Sequence, residues 1–366
     1  MNEQRAKQLS RIIIKGFKSI KECELDLGNI NVLIGANGAG KSNFISVLEM
    51  MQSVVSGRLS KYAANKGANF LFYNDPKVTD SITAEFYFGE YVYSFELEMT
   101  ENNSLSILGE SVGHVNSPMS DGGYTETKLL EWRNNQKTDT PAIHIILDGN
   151  WRAYHFHDTS PSAKIKLAQN VSNAVFLHKD AGNLASFLYR LRNNYPSEYG
   201  DILKAVQMVA PYFKDFVLSP EEGNQELIVL RWQQEECEGV YNASQLSDGT
   251  LRFICLATLL LQPANMQPET IIIDEPELGL HPFAITILAE MVKKAAVDKQ
   301  VILATQSVEL LDNFDVENAI VVDHGEEGSE FKRLDGESFE AWRKMWLDNG
   351  YTLGELWNMN TFGGRP

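Results

Sequence analysis

The sequence predicts an α/β fold, because apolar strands alternate with helices towards both ends of the chain. Residues 11–34 contain the runs RIIIKGF and NVLI, and residues 270–323 contain TIIID, VILAT and AIVVD. Between them, residues 80–160 alternate polar and apolar side chains with period two, and residues 165–215 have helical spacing. We therefore expect a mixed sheet with flanking helices, interrupted by an antiparallel and helical insert.

The most specific motif follows the strand NVLI. The segment GANGAGKS matches GxxxxGK[ST] at every fixed position, and a helix with one apolar face follows it. Glycines let successive N–H groups point at one anionic centre, and the helix adds its positive dipole end. Lys41 would reach the β- and γ-phosphates of ATP. The alternative is a glycine-rich turn, which the flanking strand and helix argue against. The predicted ATP-binding residues here are Gly35, Asn37, Gly38, Ala39, Gly40, Lys41, Ser42 and Asn43.

The segments between the motifs are predicted mainly from their periodicity. Residues 56–77 are polar and turn-rich and predict a loop. The runs ITAEFYF, YVYSFELEM, AIHIIL and WRAYHFH predict strands, ASFLYRLRNN and YGDILKAVQMV predict helices, and ELIVLRW predicts one more strand. The apolar run Phe253–Leu261 predicts a buried helix.

Two carboxylates end the strand TIIID. A buried strand cannot hold charges, so Asp274 and Glu275 are expected at its carboxyl end, where open α/β sheets bind ligands. Asp274 would hold Mg²⁺ together with the Ser42 hydroxyl. Glu275 would orient and deprotonate the attacking water. A solvated pair of loop acids is the alternative.

Upstream of the acidic pair lies QLSDGTLR, which opens a helix. It resembles the ABC signature LSGGQ, with Asp248 in place of the first glycine. A Ser-x-Gly turn at a helix N-terminus is a second anion site, which would place Ser247 and Gly249 against nucleotide. The alternative is a plain N-cap formed by Ser247 or Asp248.

The order of motifs resembles the ABC-class ATPases of the RecF, structural-maintenance-of-chromosomes and overcoming-lysogenization-defect group. More narrowly it resembles the AAA-21-type predicted ATPases of bacterial antiphage and genome-maintenance systems. The matching strings are IIIKGFKSI, NVLIGANGAGKSN, YHFHDTS, NLASFLYRL, QLSDGTLRF, IIIDEPELGLHP, ATQSVELLD and the TLGELW tail. They extend over nearly the whole chain.

The resemblance implies a dimer of ABC-type heads, each ATP lying between the phosphate loop of one copy and Ser247 of the other. Gly279, Leu280 and His281 would lie in a loop at the dimer interface. Gln306 occupies the position of the family's switch histidine. Glutamine can bind a γ-phosphate but cannot carry a proton, so the rate of hydrolysis is left open. Too few residues follow the last strand for the Toprim nuclease domain of related proteins.

These arguments predict an ABC-type ATPase head formed by residues 1–75 and 235–325, an inserted lobe at 76–234 and a tail at 326–366 that packs on the head or on a partner. We expect a homodimer or a higher oligomer, with ATP and Mg²⁺ as cofactors, that acts as a switch in antiphage defence with a separate nuclease or toxin. A RecF-like DNA-repair ATPase and a nucleotide-gated scaffold with little turnover are the alternatives.

Composition bears on partners and location. Net charge is −17, so DNA contact would need a local basic patch. The candidates are Trp151, Arg152, Lys164, Lys166, Lys179, Arg190 and Arg192, although these residues also fit an ordinary solvated surface. With three separated cysteines, no N-terminal apolar segment and no apolar run of membrane-spanning length, we expect a cytoplasmic protein without a membrane anchor.

Three smaller features leave alternatives open. His155, His157 and Asp158 could form a metal site or a hydrogen-bonded pair in the insert. Lys18 could approach the nucleotide or lie on the surface. The tail tryptophans could pack on the head or bind a partner.

Overall fold

The computed structural model describes residues 8–134, 141–148, 151–335 and 343–363, which pack into two compact units. One unit comprises Met1–Arg152 with Ile302–Pro366, and the other comprises Ala153–Val301. Compactness does not test the predicted functional division at residues 75, 234 and 325, which stays a prediction. None of the described helices is both long enough and apolar enough to cross a bilayer.

An antiparallel sheet forms the N-terminal part of the first unit. Alternate residues of its third strand in the chain, Ile82, Ala84, Phe86 and Phe88, are buried, as the period-two pattern predicts. The strand order is β2-β1-β4-β5-β6-β7. The strands are β1 (Arg11–Phe17), β2 (Ile20–Asp26), β4 (Ser81–Phe88), β5 (Tyr91–Met99), β6 (Leu105–His114) and β7 (Ser117–Asp121).

A second set of strands in this unit carries the phosphate loop. In the order β18-β17-β3-β16, β17 runs parallel to β3 and antiparallel to β18. The carboxyl end of β3 leads directly into residues 35–40. The unit boundary falls within β16, after its second residue. The strands are β3 (Ile30–Ile34), β16 (Gln300–Thr305), β17 (Ala319–Gly325) and β18 (Gly328–Arg333).

Six described helices also belong to the first unit. The first of them buries Phe44, Val47, Leu48 and Met51, which confirms the apolar face read from the sequence. The helices are α1 (Lys41–Val55), α2 (Leu59–Lys66), α3 (Leu129–Asn134), α4 (Pro141–Asp148), α9 (Val308–Leu311) and α10 (Leu353–Asn358).

The second unit is built around a buried helix. Residues Phe253–Leu261 of α7 are all buried, as predicted, and α7 packs against α6 and α8. The helices are α5 (Leu184–Asn194), α6 (Pro196–Val209), α7 (Asp248–Leu261) and α8 (Pro282–Ala295). Strand β15 (Thr270–Asp274) leads to the acidic pair.

Two small sheets also belong to this unit. Their strand orders are β10-β13-β14 and β11-β12-β9. The strands are β9 (Gln169–Asn170), β10 (Phe213–Val217), β11 (Pro220–Glu221), β12 (Asn224–Ile228), β13 (Arg231–Gln234) and β14 (Val240–Asn242). Strand β8 (Trp151–Tyr154) crosses the unit boundary.

Four predictions of secondary structure were wrong. AIHIIL lies in helix α4, where Ala142, Ile143, Ile145 and Ile146 form one buried helical face. A short apolar run fits a strand and a buried helix equally well, and a proline at the first helical position favours the helix. Residues 56–77 contain helix α2, ELIVLRW is split between β12 and β13, and the strand predicted from WRAYHFH ends at Tyr154. Most of the helix predicted near SFEAWRKMW lies outside the described residues.

Candidate nucleotide-binding site

The phosphate loop forms the turn between β3 and α1. Asn37 and Gly38 are exposed at its tip, whereas Ala39 and Gly40 are buried. Gly40 is the N-cap of α1 and has a left-handed φ of 119°. Glycine offers no side chain to cap the helix, whereas other helices of this chain are capped by their own serine or histidine side chains. This end of a 15-residue helix therefore leaves its dipole available for a phosphate.

Lys41 is held inside the loop that it follows. Its Nζ donates to the carbonyl oxygens of Gly35, at 2.7 Å, and of Ala36, at 2.8 Å, and the residue is only 5% exposed. A buried ammonium group needs such acceptors, because an uncompensated charge away from water is costly. Phosphate oxygens could replace these carbonyl oxygens as acceptors while the Lys41 ammonium group stays buried.

The two residues after Lys41 have different surroundings. Ser42 is exposed on the first turn of α1. Asn43 is half-buried, and its Nδ2 donates to Ser19 Oγ at 2.7 Å. Ser19 Oγ also lies 2.7 Å from Ser329 Oγ, so β18 and the turn after β1 meet at the phosphate loop. Sequence reasoning missed Ser19 and Ser329, since nothing in either local sequence points to the other.

Lys18 is not a freely solvated lysine. Its backbone has a left-handed φ of 48°, and Nζ donates to Ser46 Oγ of α1 at 2.9 Å. Burial is the main reason why the pKa of its ammonium group is lowered, and the charge of Lys66 adds to that effect. Lys18 thus supports α1 near the phosphate loop, and a nucleotide contact from it stays a prediction.

Gln306 follows directly after β16 and is exposed. The next residue, Ser307, caps α9 by accepting from the N–H of Leu310 at 3.1 Å, and its own N–H donates to Thr305 Oγ1 at 2.9 Å. These two contacts fix the turn that presents Gln306. The role of Gln306 at the γ-phosphate stays a prediction.

The acidic pair lies at the carboxyl end of β15 in the second unit, as predicted. Ile271, Ile272 and Ile273 are buried, while Asp274 and Glu275 are half-buried. Glu275 has a left-handed φ of 46°, a conformation that costs a non-glycine residue about 1 kcal/mol or more. Such strain is typical of functional positions, since the surrounding structure must hold the residue there.

Ser247 caps the signature helix α7. Its Oγ accepts from the N–H of Thr250 at 3.1 Å and lies 2.8 Å from Thr250 Oγ1. The capping role that the sequence allowed is therefore present, and Ser247 is also exposed. The two roles do not exclude each other, because the remaining lone pair and the hydroxyl proton can meet a ligand.

The signature turn contacts the loop that follows the acidic pair. A Cβ atom on Gly249 would lie 2.4 Å from the carbonyl oxygen of Gly279, so only glycine permits this approach. Arg252 of α7 donates from Nη1 to the Leu278 carbonyl at 3.1 Å and from Nη2 to the His157 carbonyl at 3.0 Å. Arg252 is the last residue of the motif QLSDGTLR, but the sequence alone did not predict a role for it.

His157 completes this set of contacts. Its Nε2 lies 3.1 Å from the carbonyl oxygen of Asp274. The ring of His157 thus contacts the strand of the acidic pair, which lies outside the predicted insert, and a hydrogen-bonded pair of His155 and His157 stays a prediction. Within the described part of the chain, no group of three or more His, Cys, Asp or Glu side chains is arranged to hold a metal ion. For Mg²⁺, a serine hydroxyl at residue 42 and a carboxylate at residue 274 are the hard oxygen ligands that this ion prefers.

The residues of the candidate basic patch differ in exposure and in partners. Trp151 is only 4% exposed. Lys164 pairs with Asp180 at 2.8 Å, and Arg190 donates to the Ala174 carbonyl at 2.8 Å. Lys166 and Arg192 also donate to main-chain carbonyls.

The described part of the tail packs within the first unit. Leu353, Leu356 and Trp357 of α10 are buried. The N–H of Gly354 donates to Asp312 Oδ1 at 2.6 Å, just beyond α9. The tail therefore docks on the segment that follows Gln306.

The fold is similar to that of Smc head domains. A Smc head bound to the C-winged helix domain of ScpA aligns over 91% of this chain and 99% of that one, with a TM-score of 0.55 and 16% identity. A Smc head with an extended coiled coil, bound to the C-terminal domain of ScpA derived from Pyrococcus furiosus, has a TM-score of 0.54 at 14% identity and aligns over 93% of this chain and 98% of that one.

Sequence relatives match over shorter stretches. The chromosome partition protein Smc of Methanocaldococcus jannaschii is 29% identical over 144 residues, which is 38% of this chain and 11% of that protein. The tungstate uptake ATP-binding protein TupC of Campylobacter jejuni is 29% identical over 101 residues, or 26% of this chain and 30% of TupC. RecF of Vibrio campbellii, a DNA replication and repair protein, is 48% identical over 54 residues, which is 14% of each chain. The chain thus spans less than a third of the length of each of these relatives.

A phosphate loop between β3 and α1, an acidic pair after β15 and the Smc-like head fold define an ABC-class P-loop ATPase of the RecF and SMC group. The match to one family extends over residues 30–312, which is most of the chain. The protein belongs to the family described as AAA domain, putative AbiEii toxin, Type IV TA system.

Proposed function

We propose that this ATPase is a switch in which two copies join around MgATP and separate after hydrolysis. The observation that carries the proposal is the surface formed by the signature turn and the loop after the acidic pair. Ser247 is exposed there, and Gly249 packs on Gly279. On the same segment Leu278 is 40% exposed and Phe283 is 50% exposed. A second copy of the chain would cover these apolar side chains.

In this cycle each predicted residue has one task. The loop from Gly35 to Ser42 would bind the phosphates, and Lys41 would exchange its two carbonyl acceptors for phosphate oxygens. Ser42 and Asp274 would hold Mg²⁺, which neutralises phosphate charge when it is bound. Glu275 would orient the attacking water, Gln306 would bind the γ-phosphate, and Ser247 and Gly249 of the second copy would contact the same nucleotide.

The experiment compares ATP binding, phosphate release and mass in solution. Lys41→Ala should lose most ATP affinity, since it removes the ammonium group that meets the phosphates. Glu275→Gln should bind ATP normally, reduce phosphate release by roughly a hundredfold or more, and accumulate as a dimer. Glu290→Gln is the control and should turn over like the wild type, because its carboxylate is exposed on α8 and pairs only with Lys293 of the same helix at 2.8 Å in the described contacts.

Two results would contradict the switch. If Lys41→Ala kept full affinity for ATP, the phosphate loop would not be the nucleotide site. If Glu275→Gln and the wild type had the same slow turnover and the same mass with ATP, the protein would be the nucleotide-gated scaffold that Gln306 allows.

The switch would serve antiphage defence in the cytoplasm through a separate nuclease or toxin. The net charge of −17, which repels polyanions over most of the surface, supports a protein partner over DNA. The local identity with RecF favours the second candidate, a DNA-repair ATPase. Duplex DNA binding by the purified chain that weakens steeply with salt would decide for the RecF-like role, whereas co-purification of a nuclease or toxin would decide for defence.

A further inference from the structure

We propose that His157 and Arg252 are positioning residues that hold the segment from Asp274 to Gly279 in its catalytic conformation and tie it to the signature helix. This inference rests on the proposed function, because it assigns catalysis to Glu275 and contact with a second copy to Ser247. It adds two residues of the second unit that would link contact between Ser247 and a second copy to the position of Glu275.

The acidic end of β15 is held by the ring of His157. A carbonyl oxygen can only accept, so the contact of 3.1 Å to Asp274 requires a proton on Nε2 of His157. The residue held in this way stands directly before Glu275, whose left-handed φ of 46° needs support from its surroundings.

The other end of the segment is held by Arg252. The two arms of its guanidinium group donate in different directions, to the Leu278 carbonyl and to the His157 carbonyl. One planar fork therefore fixes the loop after the acidic pair and also the backbone of the residue whose ring holds Asp274. A cleft lined by His157, Arg252, Leu256, Ile273, Asp274 and Glu275 brings these groups together.

The linkage begins at the surface where a second copy would bind. Arg252 lies on the second turn of α7, of which Ser247 is the exposed N-cap. The close approach of Gly249 to the Gly279 carbonyl joins the same turn to the loop directly. A shift of the N-terminus of α7 on contact with nucleotide would thus pull on both ends of the segment that contains Glu275.

The test measures kcat, KM and ATP affinity for His157→Ala and His157→Gln. The alanine variant should lower kcat roughly ten- to a hundredfold, since misplacement of a catalytic group by about 1 Å has effects of this size. KM and ATP affinity should not change. Glutamine can place an amide N–H near the position of Nε2 and should restore most of kcat. His155→Ala is the matched control, because the contact of its backbone N–H with the Lys179 carbonyl survives the replacement.

Arg252→Lys extends the test. Lysine keeps the charge but cannot bond to two carbonyls in different directions, so kcat should fall as in His157→Ala. Since both residues act on one segment, the double variant should be little worse than the worse single variant. Additive losses would overturn the linkage, as would a kcat of His157→Ala within about twofold of the wild type, the scale of ordinary surface changes.

Hydrogen exchange separates this inference from the proposed function. The N–H of Leu278 donates to the Glu275 carbonyl within the held segment, and the N–H of Leu280, just beyond it, donates to the Glu277 carbonyl. His157→Ala should raise their exchange rates without nucleotide, while His155→Ala should not. Unchanged exchange would contradict the positioning role even if turnover fell. If His157→Ala exchanged faster but the wild type did not hydrolyse ATP, the proposed function would be contradicted. The positioning role of His157 would still hold.

Discussion

At Gly40 the phosphate loop passes so close to β18 that no side chain fits. A Cβ atom there would lie 2.1 Å from Ser329 Oγ and 2.6 Å from its Cβ, and the φ of 119° is itself unfavourable for other residues. Gly38 also has a left-handed φ, of 82°, but has open space around it. A substitution at Gly38 therefore tests backbone strain alone, whereas a substitution at Gly40 tests strain together with steric crowding.

Gly40→Ala should destabilise the protein more than Gly38→Ala. Both variants pay for a left-handed alanine, which costs about 1–2 kcal/mol, but only Gly40→Ala also forces β18 away from the loop. Urea unfolding of both variants measures the difference, and ATP affinity should fall more at residue 40 because the backbone N–H groups lose their alignment.

A second change provides the control. In a Gly40→Ala background, Ser329→Gly removes the two nearest atoms that the new methyl group would meet and leaves Ser19 Oγ at 3.2 Å, so part of the stability should return. Equal free energies of unfolding for Gly38→Ala and Gly40→Ala would show that β18 does not press on the loop.

The residues of the phosphate loop were identified from the sequence because their spacing is itself the motif. The same is true of Asp274 and Glu275, whose place at the end of an apolar strand follows from the cost of burying charge. The contact between Ser19 and Ser329 joins positions 310 residues apart, and no local pattern encodes such a pair. The contacts of Arg252 and His157 were not predicted for the same reason, since their acceptors are main-chain carbonyls of distant residues, although His157 itself had been singled out.

The helices and strands with long, regular sequence patterns were predicted correctly. Helices α1 and α7 have clear beginnings because a glycine and a serine precede them, and apolar residues continue through both helices. The prediction for AIHIIL was wrong because six residues, five of them apolar, are too few to distinguish helical from strand periodicity. Helix α2 was hidden by its polar residues, although Leu59, Tyr62 and Ala63 form a buried face at helical spacing.

Helix α7 offers a way to separate the cap from the phosphate contact at Ser247. Aspartate is as good an N-cap as serine, so Ser247→Asp should leave the free energy of unfolding within about 0.5 kcal/mol of the wild type. Its carboxylate would repel the γ-phosphate of a second copy, so ATP-dependent dimerisation should be lost. Chemical unfolding and light scattering with ATP measure the two effects.

Ser247→Ala is the complementary variant. It removes the cap and should cost about 1 kcal/mol of stability, but it adds no charge. A Ser247→Asp protein that still dimerised with ATP would show that residue 247 has only the structural role.

For the whole molecule, the dominant electrostatic quantity is the net charge of −17. Two such chains repel each other at long range, and the repulsion is screened over about 10 Å at 0.1 M salt. Dimerisation of the proposed kind must overcome this repulsion, with bound Mg²⁺ compensating part of the added phosphate charge. Salt therefore reports on how the two copies approach.

We expect the ATP-dependent dimer of Glu275→Gln to tighten as salt is raised. Between about 0.05 and 0.3 M NaCl the screening length is roughly halved, so the dissociation constant should fall several-fold at saturating MgATP. Sedimentation velocity over a range of protein concentrations measures it, and Lys41→Ala should remain monomeric throughout. A dissociation constant that rises with salt would mean that opposite charges hold the copies together. In that case the dimer interface would be formed by lysines and arginines of the second unit. It would not be formed by the exposed Leu278 and Phe283.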